Sequence, residues 1–560
     1  MDDLPGKAVF VGKERTLHSS GDNNVDQAVA AGETTDHGRL GHIALHSLKW
    51  RYAGVAFRVG LQLLIGVVLA RLLPPHAFGL TGMALIVVGF GKLIGEMGFG
   101  VALIQRPHLT QGHIRAAFTG NAITGILLFL MLWFLAPVIS GIFMQEALTP
   151  ILRVIGISFV PSGISTTLSC LLRRELRFRT LAVVETASYA VGFGIIGISL
   201  AVWGYGAWSL VAANIAQPVL LAALALHVTR PPMRPHFRPQ EYRDLLRLGS
   251  AEVLNNATNF FAENLDFLVI GRWLGVSALG LYNRCFYLTT MPVSQFSAGL
   301  SSVMFPLYSK IQGDVPRLRK AYLQTLSLAA LVAMPVLFGM AAAPTVVIGG
   351  LFGQQWTPAA GTFRILCFSG SLWAILYVSG ALSHACGHVF SEWWRQVIYF
   401  LVMALALWLL VPLGIEGVAL AVLFATVIRY LLIAELSVKL AELRWRDFFL
   451  AQLPGCLLAA IVFTTVYLVH NLAAMRGISE LFQLWIIIAA SMLSLITSLL
   501  LLPGSWFGNL YPWLNEHLGV NLPSWLRTAI AVKSRINPSV YGQAALSIPT
   551  GNNPEGSGGR

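Results

Sequence analysis

The sequence predicts an all-α polytopic membrane protein of about fourteen transmembrane helices. Two parallel six-helix repeats surround a central cavity, two accessory helices follow, and both termini lie in the cytoplasm. Composition, loop charge and an internal duplication predict it. Of 560 residues, 56% are hydrophobic and 11% are charged, against roughly 25% charged in soluble domains. Apolar stretches long enough to span a bilayer, about 18 residues or more, recur along almost the whole chain; "AITGILLFLMLWFLAPVI" is typical.

In chain order, residues 1–46 are polar and Gly-rich, with none of the apolar run a cleavable signal needs, and read as a disordered tail. A first bundle over 47–229 holds spans at 50–72, 78–102, 114–138, 148–170, 180–203 and 207–228. The Arg- and Pro-rich "TRPPMRPHFRPQEYRDLLR" supplies a linker at 230–247. The second bundle, 248–440, holds spans at 248–272, 279–304, 321–343, 359–383, 389–412 and 414–436. Spans at 447–470 and 481–503 complete the membrane part within 447–503. Over 504–560 an aromatic interfacial segment passes into a Ser-, Gly- and Pro-rich tail.

The net charge of +13 is an orientation signal and not a nucleic-acid footprint. Alternate connections carry it: Arg173, Arg174, Arg177 and Arg179 in one, Lys310, Arg317, Arg319 and Lys320 in another. The opposite loops hold few arginines beyond Arg71, Arg272 and Arg476. Basic loops mark the cytoplasmic side. Five cysteines, an odd count spread through apolar segments, argue against a disulfide framework.

The duplication is visible in "ARLLPPHAFGL" (70–80) and "GRWLGVSALGL" (271–281), which align at an offset of 201 with Arg71 on Arg272 and Gly79 on Gly280. Later the offset is about 211, placing Arg153 on Arg364 and Gly206 on Gly417. Each unit has an even number of spans, so both enter from the same side. Such parallel repeats are related by an axis along the membrane normal, with the substrate site at their interface.

Span seven holds the residues that point to function. Glu252, Asn256, Asn259, Glu263 and Asp266 recur at spacings of 4, 3, 4 and 3 and form one polar face. The equivalent face of span one carries Arg51, Arg58 and Gln62, so a basic and an acidic stripe are expected to line one shared cavity. A charged residue at mid-membrane costs ~2.5–3.5 kcal/mol, and each large apolar residue returns only ~0.3–0.6. Residues kept at that cost mark a transport path or a structural Arg–carboxylate pairing between spans one and seven; both readings stay open. Arg284 on span eight has no nearby sequence partner and suits an anionic group, because its planar fork makes two charge-assisted hydrogen bonds at once. Glu392 and Arg395 on span eleven read as a local pair. "VGFGKLIG" (88–95) fails the P-loop spacing. His384, Cys386 and His388 are too few for a metal site. With no long loop and no catalytic grouping, the chain is not expected to be an enzyme.

The run "LARLLPPHAFGLTGMALIVV…GEMGFGVALIQRPHLT" and the stretch "DFLVIGRWLGVSALGLYNRCFYLTTMPVSQFSAGLSSVMFPLYSKIQGD" resemble Wzx-type polysaccharide exporters and lipid-linked oligosaccharide flippases, of the colanic-acid-exporter-like branch. These belong to the multidrug/oligosaccharidyl-lipid/polysaccharide superfamily, and the resemblance covers about 48–440. It implies alternating access without ATP, and a substrate of undecaprenyl-pyrophosphate-linked sugars turned across the bacterial inner membrane. It also implies a polymerase and a chain-length regulator as partners, no cofactor beyond a coupling proton or sodium ion, and Arg71, Gly280 and Tyr282 as family-pattern positions. On that footing Arg51, Arg58 and Arg284 are expected to attract the pyrophosphate, and Gln62, Asn256 and Asn259 to bind sugar hydroxyls. Glu252, Glu263 and Asp266 are the expected ion-coupling acids. The rival reading is a cation-coupled multidrug antiporter of the same superfamily.

Overall fold

The computed structural model describes residues 57–95, 103, 110–230, 237, 258–476 and 478–501. Among them every regular element is helical. Helix α1 covers 57–72 and stops before Pro74, because a residue preceding proline is driven out of the helical region. Pro75 then opens α2 (Pro75–Gly95), where its fixed φ is preorganised and its missing N–H costs nothing. Helix α3 (Gln111–Phe143) starts at a capping box in which Thr110 and His113 satisfy each other's backbone, and it ends at Met144 in the left-handed region, φ 53°. Helices α4 (Leu148–Arg174), α5 (Phe178–Val202) and α6 (Ala207–Thr229) complete the first half. Helix α5 widens to a π-helix over Ala190–Gly197, where Gly192 and Gly197 lie close against α6.

The second half repeats the plan. Helix α7 (258–274) closes in a π-turn, Ile270–Leu274, and Gly275, at φ 87°, turns the chain into α8 (Val276–Ile311). Helix α9 (Val315–Ala342) leads through a short helix, Pro344–Phe352, into α10 (Gln354–Ala385). Helices α11 (Val389–Leu410) and α12 (Gly414–Leu440) follow, then α13 (Trp445–Met475) and α14 (Glu480–Leu501). A helix thus stands at each expected span. Among the described residues ten stretches are long and apolar enough to cross a membrane; one, Val389–Leu440, is α11 and α12 joined by a single turn. The protein is a multi-pass membrane protein.

The repeat offset reappears as a symmetric contact. A Cβ on Gly79 would lie 1.8 Å from the Val276 carbonyl oxygen, and one on Gly280 would lie 1.9 Å from that of Pro75. Pro75 and Val276 are repeat mates, as are Gly79 and Gly280. The seam between α2 and α8 is therefore isologous, each half offering the same small residue to the same carbonyl of the other. Other mates behave alike: Arg153 donates Nε to the Trp133 carbonyl at 3.4 Å, and Arg364 donates Nε to that of Ala341 at 3.3 Å. In each case an arginine ties its helix to the one before it. Helix α13 packs on α9, where Gly455 comes against the Ala330 backbone, and α14 packs on α13.

Candidate functional site

Helix α7 sets out the candidate acids as its periodicity requires. Glu263 and Asp266, three residues apart, share a face, and both line a cavity of about 1020 Å³. That cavity sits within the second half, among α7, α8, α10, α11 and α12; the first half contributes only Gly82, Leu85 and Ile86 of α2 to its described lining. It extends towards His384 and Glu392 at the α10–α11 turn.

The two acids are held differently. Asp266 is buried, accepting from the Tyr282 hydroxyl at 2.5 Å and from the Phe267 backbone N–H at 2.9 Å. Glu263 is exposed to the cavity and makes no hydrogen bond or ion pair among the described residues. Its charged neighbour is Arg429 of α12, which stacks over the Tyr399 ring at 5.0 Å and whose buried Nε has no partner. Tyr282→Phe removes one of the two donors to a buried carboxylate, and a charge-assisted hydrogen bond is worth ~1.5–3 kcal/mol. A lowered melting temperature is expected; an unchanged melt contradicts the structural role.

The described part of the span-one stripe, Arg58 and Gln62, does not line that cavity. Arg58 donates Nη1 to Glu185 of α5 at 2.5 Å, with Arg173 4.0 Å from the same carboxylate. The acid that meets Arg58 thus lies inside the first half, where a pairing with span seven was one of the two open readings. Gln62 and Asn259 are half-buried and outside the cavity lining. Arg51, Glu252 and Asn256 lie outside the described residues, as do the tails at 1–46 and 504–560. Glu392 and Arg395 do not pair either. Glu392 accepts from Ser383 and approaches His384 at 3.5 Å, and Arg395 reaches Glu435 at 3.3 Å. Each turns to a different neighbouring helix. Among the described residues no group of metal-ligating side chains assembles around His384.

Arg284 stands where α8 faces α1 and α2. Its guanidinium lies 4.2 Å above the Phe78 ring and 5.3 Å from the Tyr287 ring, near Gly66. Its one polar contact is to Asn283 Oδ1 at 3.3 Å; Nε is buried without a partner, and no carboxylate pairs with it among the described residues. The repeat mates of Asn283 and Arg284 are Gly82 and Met83. Polarity here is a departure from the symmetry.

At the end of the molecule opposite the α10–α11 turn, a latch joins the halves. Arg71 donates to the Gly350 and Leu351 carbonyls at the end of the short helix, the second at 2.9 Å. These carbonyls carry the negative end of that helix's dipole. Trp356 Nε1 donates to Ala70 O at 2.9 Å, and Gln355 Nε2 to Ala70 O and Leu73 O at 3.0 and 3.2 Å. Trp356 also meets Phe78 edge-on. Arg71, Gly280 and Tyr282, the family-pattern positions, thus fall at the latch, the seam and the buried Asp266.

The family described as polysaccharide biosynthesis protein matches residues 68–361, which include the seam, the latch and Arg284. The chain belongs to this family. Its similarity to individual members is moderate but extended. It is 28% identical over 330 residues to the teichuronic acid biosynthesis protein TuaB of Bacillus subtilis, covering 58% of this chain and 68% of that protein. It is 24% identical to the lipopolysaccharide biosynthesis protein WzxC of Escherichia coli, covering 61% of this chain and 70% of that one. The resemblance read from its residues is borne out. In fold it is similar to the lipid II flippase MurJ in an inward closed conformation, with a TM-score of 0.66 at 16% identity, covering 80% of this chain and 97% of that one. An inward-facing multidrug-resistance transporter of the MATE family matches with a TM-score of 0.52 at 17% identity, over 69% and 96% of the two chains. The family therefore stands on sequence, and the all-helical transporter fold on structure. Sequence reasoning had missed Glu185 and Arg429, although both are intramembrane charges that the cost argument applied to span seven would have flagged.

Proposed function

We propose that the protein is a flippase that carries undecaprenyl-pyrophosphate-linked oligosaccharide units across the bacterial inner membrane for surface polysaccharide synthesis. It works by alternating access of its two halves, without ATP. The observation that carries this reading is Arg284, a guanidinium on the seam between the halves that has no counter-ion among the described residues. A cation with its Nε buried and unpartnered is costly, and a pyrophosphate supplies the missing charge in bidentate geometry. Arg58, neutralised by Glu185, has the weaker claim. The similarity to WzxC, a lipopolysaccharide biosynthesis protein, supports a role in surface polysaccharide synthesis. With fourteen spans and cytoplasmic basic loops the latch faces outward, and the resting state opens inward. Glu263 and Asp266 are the carboxylates available to a coupling proton or sodium ion. A polymerase and a chain-length regulator would take up the product.

Depletion tests the reading. Mass spectrometry of polyprenyl-linked lipids from depleted cells should show one undecaprenyl-pyrophosphate oligosaccharide accumulating as its surface polymer disappears. Arg284→Ala should reproduce this, with export reduced about 10- to 100-fold for the lost charge-assisted contacts. Arg284→Lys should fall between, keeping the charge and losing the fork. Normal lipids and normal polymer would favour the cation-coupled antiporter, whose cation would meet the cavity-facing Glu263.

A further inference from the structure

The second-half cavity holds two opposite charges that form no ion pair among the described residues. Glu263 and Arg429 both line it, yet neither is joined to the other or to another charged group by an ion pair among the described residues. Unsatisfied polar groups beside a cavity call for an explanation, and the combination narrows the ligand. A lone carboxylate would suit a cation and a lone guanidinium an anion; side by side, each repels what the other would attract. Both suit a neutral molecule rich in hydroxyls, since a carboxylate accepts two hydroxyl donors while a guanidinium donates to hydroxyl and ring oxygens.

The remaining lining fits the same chemistry. Trp373 and Tyr377 offer aromatic faces on which the C–H face of a pyranose packs. Ser301, Ser302 and Thr290 add hydroxyls. The other carboxylates of the wall are engaged, Asp266 by Tyr282 and Glu392 by Ser383 and His384. At about 1020 Å³ the space lies at the top of the ~300–1,000 Å³ usual for ligand pockets, so more than one sugar ring fits.

We infer that this cavity is the chamber for the glycan, in which Glu263 and Arg429 bind sugar hydroxyls and Trp373 and Tyr377 meet a pyranose face. The inference rests on the flippase reading and extends it: the pyrophosphate stays at the seam with Arg284, and the sugar enters the second half. It also sets a preference. A uronic acid would bring its carboxylate among Glu263, Asp266 and Glu392, so neutral and N-acetylated sugars are favoured.

Saturation-transfer NMR on the full-length protein in nanodiscs tests it, with chitobiose as the neutral probe and digalacturonate as the acidic one. Chitobiose should bind saturably and digalacturonate at least about tenfold more weakly. Glu263→Gln and Arg429→Gln should each weaken chitobiose by about tenfold or more, the loss of one charge-assisted hydrogen bond. Neither substitution removes an ion pair among the described residues, and a melt of each variant separates lost binding from lost folding. Trp373→Phe should retain binding and Tyr377→Ser reduce it. No saturable sugar binding, or binding unchanged in both charge variants, would overturn the assignment. Lipid-linked glycan accumulating on depletion while both charge variants export normally would remove this site and leave the flippase reading standing. Sugar binding that depends on Glu263 and Arg429, without any accumulation on depletion, would support the site and overturn the flippase reading instead.

Discussion

Gly79→Ala or Gly280→Ala should cost the protein its folded seam. The added methyl would stand 1.8 or 1.9 Å from a backbone carbonyl oxygen of the opposite helix, where no side chain can move aside. Overpacking of flexible sites costs ~1–3 kcal/mol; against backbone the helices themselves must separate, and the cost belongs at or above the top of that range. The two variants should behave alike, because they make the same contact from opposite sides of the pseudo-axis. Gly60→Ala on α1, where nothing lies within 4 Å, is the control and should melt at or above the wild-type temperature through helix propensity alone. Melting in detergent, with size-exclusion profiles alongside, reads all three. A Gly280→Ala protein as stable as the control would contradict the close seam.

The second large effect is conformational. Arg71→Ala, Gln355→Ala and Trp356→Phe together remove the side-chain hydrogen bonds of the latch while leaving both halves their own cores. These bonds, partly exposed, are together worth about 2–5 kcal/mol. A shift of about 5.5 kcal/mol carries a two-state equilibrium from 1:99 to 99:1, so the triple variant should populate the open latch visibly. Spin labels at the exposed His76 and Gln354, one on each half, report it by pulsed dipolar spectroscopy. The wild type should give one short distance and the variant an added longer one. An unchanged distribution would mean that the seam glycines, not the latch, hold this end closed.

Much of this architecture was legible in the sequence. Apolar runs placed a helix at every expected span, and the offset of 201 residues paired Gly79 with Gly280 as repeat mates; that the two also make one symmetric contact is visible only in the structure. The 4, 3, 4, 3 spacing correctly put Glu263 and Asp266 on one cavity-facing side. Periodicity gives a face but not the neighbour it meets, and there the reading went astray. Arg58 was read either for a shared cavity or for a pairing with span seven, and it meets Glu185 of its own half. Glu392 and Arg395 suit each other by spacing, yet α10 and α12 offer each a different partner. Arg429 escaped notice because its significance lies in having Glu263 opposite it across more than a hundred residues of chain. The short helix Pro344–Phe352 falls in the sequence between the spans at 321–343 and 359–383; its carbonyls become the acceptors of Arg71 only once the halves are docked.

The most direct measurement of the central claim is translocation by the purified protein in proteoliposomes. They would be loaded in one leaflet with an undecaprenyl-pyrophosphate oligosaccharide and probed by a membrane-impermeant glycosidase outside. Wild type should expose the glycan to the enzyme well above the rate of empty liposomes, and Arg284→Ala should fall back towards that rate. Exposure no faster than in empty liposomes, with a folded protein and under either a proton or a sodium gradient, would contradict the account.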